Sequence, residues 1–203
     1  MLKFEKIIVG VLRTNCYIIY DESSGQGVII DPGGEPSKII KVLNKIDVEV
    51  KYIIATHGHF DHVLGVTALK EYTNSKFVIH KADIEIMEHS RIWAPQEWNP
   101  PEPDIILNTE CTITVTDTLK LSILHTPGHT PGSICIHVDN KLFTGDTIFK
   151  GTIGRTDLPG GSPELILSSL EKIKKFPKNT IILPGHGPPT ILEYELKYNP
   201  YLH

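Results

Sequence analysis

Four metal-type side chains fall within six consecutive positions, His57-Gly58-His59-Phe60-Asp61-His62, directly after the apolar run Tyr52-Ile53-Ile54-Ala55. No other stretch constrains the fold as strongly. Imidazole nitrogen and carboxylate oxygen are ligands that zinc, iron and manganese accept. The chain has only 10 His in 203 residues, so three in six positions beside an Asp is a cluster and not a chance of composition. His57 and His59 are two apart, so in an extended segment they share a face and can converge on one ion. Asp61 and His62 follow where Leu64 to Lys70 turns helical, which aims them toward a second ion nearby. A carboxylate at that helix start also meets the positive end of the dipole. Two ions about 3.5–4 Å apart can hold and activate a water shared between them. The fold must therefore present this strand end at an accessible rim and bring further ligands to it.

The length suits one domain over residues 1–203 with a sizeable core, supplied by 40% hydrophobic residues. Net charge is −4, so no global basic field recruits nucleic acid or an acidic membrane. Lys172, Lys174, Lys175 and Lys178 read as a solvated face. No apolar run is long enough to span a bilayer, and Met1 to Lys6 lacks the apolar core of a signal peptide. Cys16, Cys111 and Cys135 are odd in number, far apart and flanked by strand-like residues. They read as buried reduced thiols of a cytoplasmic protein.

Residues 3–9 and 14–20 read as strands joined at Gly10 to Arg13, and 27–30 as a third that stops at Asp31-Pro32-Gly33-Gly34. Pro36 opens a helix with Ile39, Ile40, Leu43 and Ile46 at helical spacing. Strand 50–55 delivers the His cluster. A helix then runs to about Tyr72, followed by a strand at 76–80 and a short helix at 82–89. The segment 92–103 holds both tryptophans and four prolines without periodicity, either a roof over the site or packed filler. Strands resume at 105–107, 111–115, 119–125, 132–138 and 141–145. A helix at 164–175, a strand at 180–183 and a helix at 190–198 complete the pattern. Two groups of strands, each followed by helices, imply two sheets packed face to face with helices outside.

Three further ligand-type residues follow a Gly at strand ends: His129 in Pro127-Gly128-His129, Asp146 in Thr144-Gly145-Asp146, and His186 in Pro184-Gly185-His186. Strand ends gathered at one edge would bring all three near the first cluster. This ordered set, with Asp31 at the end of its own strand, resembles the metallo-β-lactamase superfamily over nearly the whole chain. The resemblance implies an αβ/βα four-layer sandwich with a two-metal site along one edge. It implies that His57, His59 and His129 hold one ion, that Asp61, His62 and His186 hold the other, and that Asp146 bridges them. Asp31 would hydrogen-bond behind the ligands. Two divalent transition ions are expected, zinc first, with iron or manganese also compatible.

Gly145-Asp146-Thr147-Ile148-Phe149 and Ile153-Gly154-Arg155 are similar to glyoxalase II, the hydroxyacylglutathione hydrolase. Asp61 together with His62 sets the pattern apart from β-lactamases that lack the second residue. With about 17 residues after His186, the glutathione-binding helical domain of glyoxalase II is not expected. The resemblance is instead to small glyoxalase-II-like hydrolases. Arg155 falls where that enzyme has a basic substrate-binding residue, and pairing with Asp157 is the competing expectation. Asp157 and Pro188 stand where tyrosines would contact the glutathione peptide.

The expected reaction is hydrolysis of a small-molecule thioester of the S-lactoylglutathione type, with Asp61 orienting the attacking hydroxide. Persulfide dioxygenases are the alternative resemblance, through Gly154-Arg155-Thr156-Asp157. They use one iron held by the counterparts of His57, His129 and Asp146. His125 reads as a polar strand residue, and His80, His89, His137 and His203 as surface or satisfied packing residues.

Overall fold

The computed structural model describes residues 1–95 and 97–203. The first sheet holds β1 (Leu2–Val9), β2 (Thr14–Asp21), β3 (Gln26–Ile30), β4 (Glu49–Ile54), β5 (Lys76–His80) and β6 (Ile105–Leu107), side by side in that order. The first three strands run antiparallel, and β3 to β6 are parallel. Its connections carry α1 (Pro36–Ile46), α2 (Phe60–Val63), α3 (Val66–Thr73) and α4 (Ile84–His89). The second sheet contains β7 (Cys111–Thr114), β8 (Lys120–His125), β9 (Ile134–Val138) and β10 (Lys141–Gly145). A hairpin of β11 (Ile148–Phe149) and β12 (Thr152–Ile153) leads to α5 (Pro163–Ile173), β13 (Ile181–Pro184), β14 (Thr190–Ile191) and α6 (Leu192–Tyr198). Its strand order is β14-β13-β10-β9-β8-β7, parallel only between β10 and β13.

The two-residue period of a strand explains the four layers. On β3, Val28 and Ile30 face the other sheet, while Ile29 packs with Ile39 and Leu43 of α1. On β4, Ile54 points between the sheets and Ile53 toward the helices. The second sheet mirrors this. Ile134, Ile136, Phe143 and Leu183 meet the first sheet, whereas Cys135, Leu142 and Ile182 pack on Leu170 and Ile173 of α5 and Leu192 of α6. Strands apolar on both faces are thus buried on both faces.

Four details differ from the sequence expectations. The helix after the His cluster is broken: Gly65 donates its N–H to the Pro32 carbonyl at 2.8 Å, separating α2 from α3. The hairpin of β11 and β12 occupies a stretch assigned to no element. Residues 190–191 form a strand before α6. Cys111 is exposed and not buried, because β7 is an edge strand with most of its side chains in solvent. Cys16 and Cys135 are buried.

The segment 92–103 divides its two roles between its tryptophans, with Gln96 lying outside the described residues. Trp98 is buried in the core between the first sheet and its helices. Trp93 stays 39% exposed, with its ring edge-on to His59 at a centroid distance of 6.2 Å.

Candidate metal centre

The strand ends of both sheets meet at one rim, and the ligand-type side chains project from the loops that follow them. After β4, His57 and His59 turn inward, and the single turn of α2 redirects Asp61 and His62. The loop after β8 brings His129, the end of β10 brings Asp146, and the end of β13 brings His186. Gly185 is required here: a Cβ on it would run into the Asp146 carboxylate and the His62 ring. A Cβ on Gly33 would collide with the Asp61 carbonyl.

His57 Nε2 lies 3.1 Å from His59 Nδ1, which lies 3.0 Å from His129 Nε2. On the other side, His186 Nε2 is 3.2 Å from Asp61 Oδ2 and 3.3 Å from His62 Nε2. Nitrogens held about 2.0–2.1 Å from one tetrahedral ion lie roughly 3.3 Å from one another, so both groups have the spacing of a ligand shell. Asp146 stands between them, with Oδ1 3.5 Å from His62 Nε2 and Oδ2 3.6 Å from both His129 Nε2 and His186 Nε2. The overlapping triads are His57, His59 and His129; His57, His62 and Asp146; and Asp61, His62 and His186. Asp146 Oδ1 is buried without a hydrogen-bond partner, as expected of a donor that is meant for a cation.

Groups behind the cluster fix which ring nitrogen faces it. His129 Nδ1 lies 2.8 Å from the Arg155 carbonyl, which accepts its proton and leaves Nε2 as the inward lone pair. His62 Nδ1 is 2.9 Å from Asp31 Oδ2, an ion-pair contact short of hydrogen-bond alignment. Asp31 in turn accepts from the Thr56 N–H and hydroxyl, each at 2.7 Å. It does so from left-handed backbone, φ 52°, an uncommon state for a non-glycine residue.

Electrostatics divide the cluster. Burial, reinforced by His129, lowers the His59 pKa to about 3, so this imidazole is neutral and able to ligate. Burial also opposes charge on His62, but Asp61, Asp31 and Asp146 outweigh it and push its pKa up to about 10. Asp61 is opposed by burial too, yet His62 and His186 hold it well below the usual carboxylate range. Three carboxylates around one ring make a field that attracts positive charge.

Every ligand-type residue singled out in the sequence thus converges at this rim: His57, His59, Asp61, His62, His129, Asp146 and His186, with Asp31 behind them. Arg155 lies beside the cluster and pairs two-point with Asp157, Nε to Oδ1 at 2.7 Å and Nη2 to Oδ2 at 2.6 Å. His125 stacks on His80 at 4.3 Å, apart from the site. Sequence reading missed Asp83, a buried carboxylate that accepts from the Gly58 N–H, the Thr130 hydroxyl and the Gly132 N–H at 2.6–2.7 Å. It ties the His57–His59 loop to the His129 loop. Its one legible sign was position, three residues past the end of β5. Thr14, whose hydroxyl donates to Asp61 Oδ2 at 3.1 Å, carried no sign at all.

Comparison with known proteins decides the family. Residues 9–186 match the family model described as the metallo-beta-lactamase superfamily. The chain belongs to that superfamily. It is 36% identical to the hydroxyacylglutathione hydrolase GloC of Haemophilus influenzae, over all of this chain and 99% of that protein. Among solved structures it is similar to BLEG-1 B3 metallo-beta-lactamase, with a TM-score of 0.91, 34% identity, and 98% of this chain and 99% of that one covered. It is also similar to TTHA1623 in a di-iron-bound form, with TM-score 0.87, 33% identity, and 98% and 100% covered. ETHE1 from Myxococcus xanthus gives TM-score 0.83 and 26% identity, with 98% and 83% covered. The metallo-beta-lactamase fold and the His/Asp cluster together make this a metal-binding centre, consistent with two divalent ions. The chain is a metal-dependent hydrolase of this superfamily. Among the described residues, no helix is long and apolar enough to cross a membrane.

Proposed function

We propose that this hydrolase cleaves a thioester, using His57, His59 and His129 for one ion, Asp61, His62 and His186 for the other, and Asp146 for both. The observation that carries the reading is the pair of ligand-spaced triads that share one rim and the Asp146 carboxylate. When bound, two ions would lower the pKa of a water molecule and polarise a carbonyl oxygen. The protein's own groups do the rest. Asp61, kept ionised, accepts the Thr14 hydroxyl on the Oδ2 that faces His186, and in this reading it orients the attacking water. Arg155 and Asp31 act behind the ligands, the first through its carbonyl on His129 and the second on His62.

A thiolate leaves without needing a proton, which suits a pocket whose described lining residues add no acid to these ligands. Similarity to GloC supports the acyl-thiol class, and zinc is the first ion to try, since it accepts this N/O donor set. Reduced buried Cys16 and Cys135 fit a cytoplasmic setting, and residues 1–203 read as one domain.

The test is metal analysis of the purified protein, followed by thiol release from a thioester panel. Asp61→Ala and His59→Ala should each lower kcat/KM by about 10²-fold or more with the far-ultraviolet circular dichroism unchanged. Wild-type turnover in either variant with the full metal complement removes these role assignments. Because BLEG-1 is so similar, a β-lactam amide belongs in the same panel. A single-iron persulfide dioxygenase is the second reading. It is favoured by the proximity of His57, His129 and Asp146 and by the likeness to ETHE1. Oxygen uptake with glutathione persulfide and no thioester cleavage would establish it instead.

A further inference from the structure

The entrance to the metal centre is more apolar than hydrolysis requires. Leu12 from the turn between β1 and β2, Phe60, Trp93 and Leu158 wall a cavity of about 230 Å³ that opens onto His59 and Asp61. Leu12 is 52% exposed, and its neighbour Val11 and Trp93's neighbour Ile92 are exposed at 68% and 80%. Large apolar side chains clustered in water beside a polar site mark a place where a ligand is covered. Arg155, the one cation on this wall among the described residues, already faces a carboxylate. It turns its Nε–Nη2 edge to Asp157, so a substrate carboxylate arriving here meets a guanidinium already paired on one edge. The cavity is also smaller than the roughly 300–1,000 Å³ of sites for drug-sized ligands.

We infer that the group seated here, next to the reacting carbonyl, is small, uncharged and apolar: a short alkyl or aryl arm of the thioester and not the anionic arms of a glutathione conjugate. This rests on the hydrolytic reading above and narrows its substrate class. Hydrolysis adds the elements of water across the C–S bond, giving the short-chain acid and the free thiol. The pocket contributes binding and water exclusion to that step, and no charge.

The test uses metal-loaded protein and uncleavable thioethers of N-acetylcysteamine bearing propyl, butyl, pentyl or carboxypropyl tails. Binding is followed by Trp93 fluorescence, with Trp93→Phe supplying the Trp98 background. Kd should fall about fourfold per added methylene until the cavity is full, and the carboxypropyl tail should bind at least tenfold more weakly than butyl. Leu158→Arg should reverse that preference. The corresponding thioesters should follow the same order in kcat/KM. A flat alkyl series, or a carboxypropyl or glutathione conjugate bound as tightly as butyl, overturns the inference. If alkyl tails bind in order and no thioester is cleaved, the proposed reaction fails while the pocket assignment stands. Cleavage that prefers anionic tails keeps the reaction and removes the pocket assignment.

Discussion

Asp31 shows how much of the centre depends on a residue that touches no ion. Its left-handed backbone is strained, and both its oxygens are engaged by Thr56 while Oδ2 also faces His62. In Asp31→Asn the amide must turn a donor toward Thr56, which already donates to both oxygens, or toward His62, which meets the carboxylate as an ion-pair contact. Such changes behind a ligand cost about 10–100-fold in metal affinity. Chelator competition should therefore show one of the two ions held that much more weakly, with secondary structure retained. Equal affinity for both ions would leave Asp31 with a purely structural task. The ligand-type residues were legible because each follows an apolar run and a tight turn, a local pattern. Asp83 and Thr14 were not, because they act on partners far off in sequence: Asp83 on Gly58 and Thr130, 25 and 47 residues away, and Thr14 on Asp61, 47 residues away. Sequence spacing holds no trace of such pairs.

Among elements, strands were the most readable, since alternation of Ile, Val and Leu on two buried faces leaves long apolar runs. The break between α2 and α3 was hidden, because Gly65 is displaced by a hydrogen bond to a loop 33 residues earlier. The hairpin of β11 and β12 has two residues per strand, too short for any period to register. Edge position is equally invisible from sequence, and that is why Cys111 was misplaced. Helix α5 illustrates the packing that holds the second sheet. Ser162 caps it by accepting the Leu165 N–H at 3.2 Å, and Leu170 is wholly buried against Cys135 and Ile182. Leu170→Ala should cost about 2–5 kcal/mol, read as a lower urea midpoint with an unchanged slope. A loss under about 1 kcal/mol would mean that the layer closes over the cavity.

At the scale of the molecule, β2 fastens one sheet to the other at both of its ends. At the metal rim, the Asn15 side-chain amide donates to the Pro184 and Gly187 carbonyls at 2.9 Å, and the Tyr17 hydroxyl donates to Pro184 at 2.8 Å. At the far rim, Asp21 accepts from the Thr118 hydroxyl at 2.7 Å and the Ser23 N–H at 3.1 Å. Those bonds, Thr118 first, hold the Asp21 pKa at about 2. The folded value lies below the unfolded one of about 3.9, so the stabilisation is complete above that pH and is lost as pH falls through 2. Asparagine has no such titration. The stability gap between wild type and Asp21→Asn, measured by urea unfolding in chelator, should be constant above about pH 5 and shrink between pH 4 and 2. A gap that does not change with pH would show that the carboxylate charge is idle there.

A sandwich bolted at both rims by one strand has little freedom to gape. Admission to the reaction chamber then falls to three short borders outside the bolts, those carrying Leu12, Trp93 and Leu158. Replacing a few residues along them can change which molecules get in without disturbing a single ligand. That separation gives a physical reason why so similar a scaffold serves under names as different as a hydroxyacylglutathione hydrolase and a metallo-beta-lactamase.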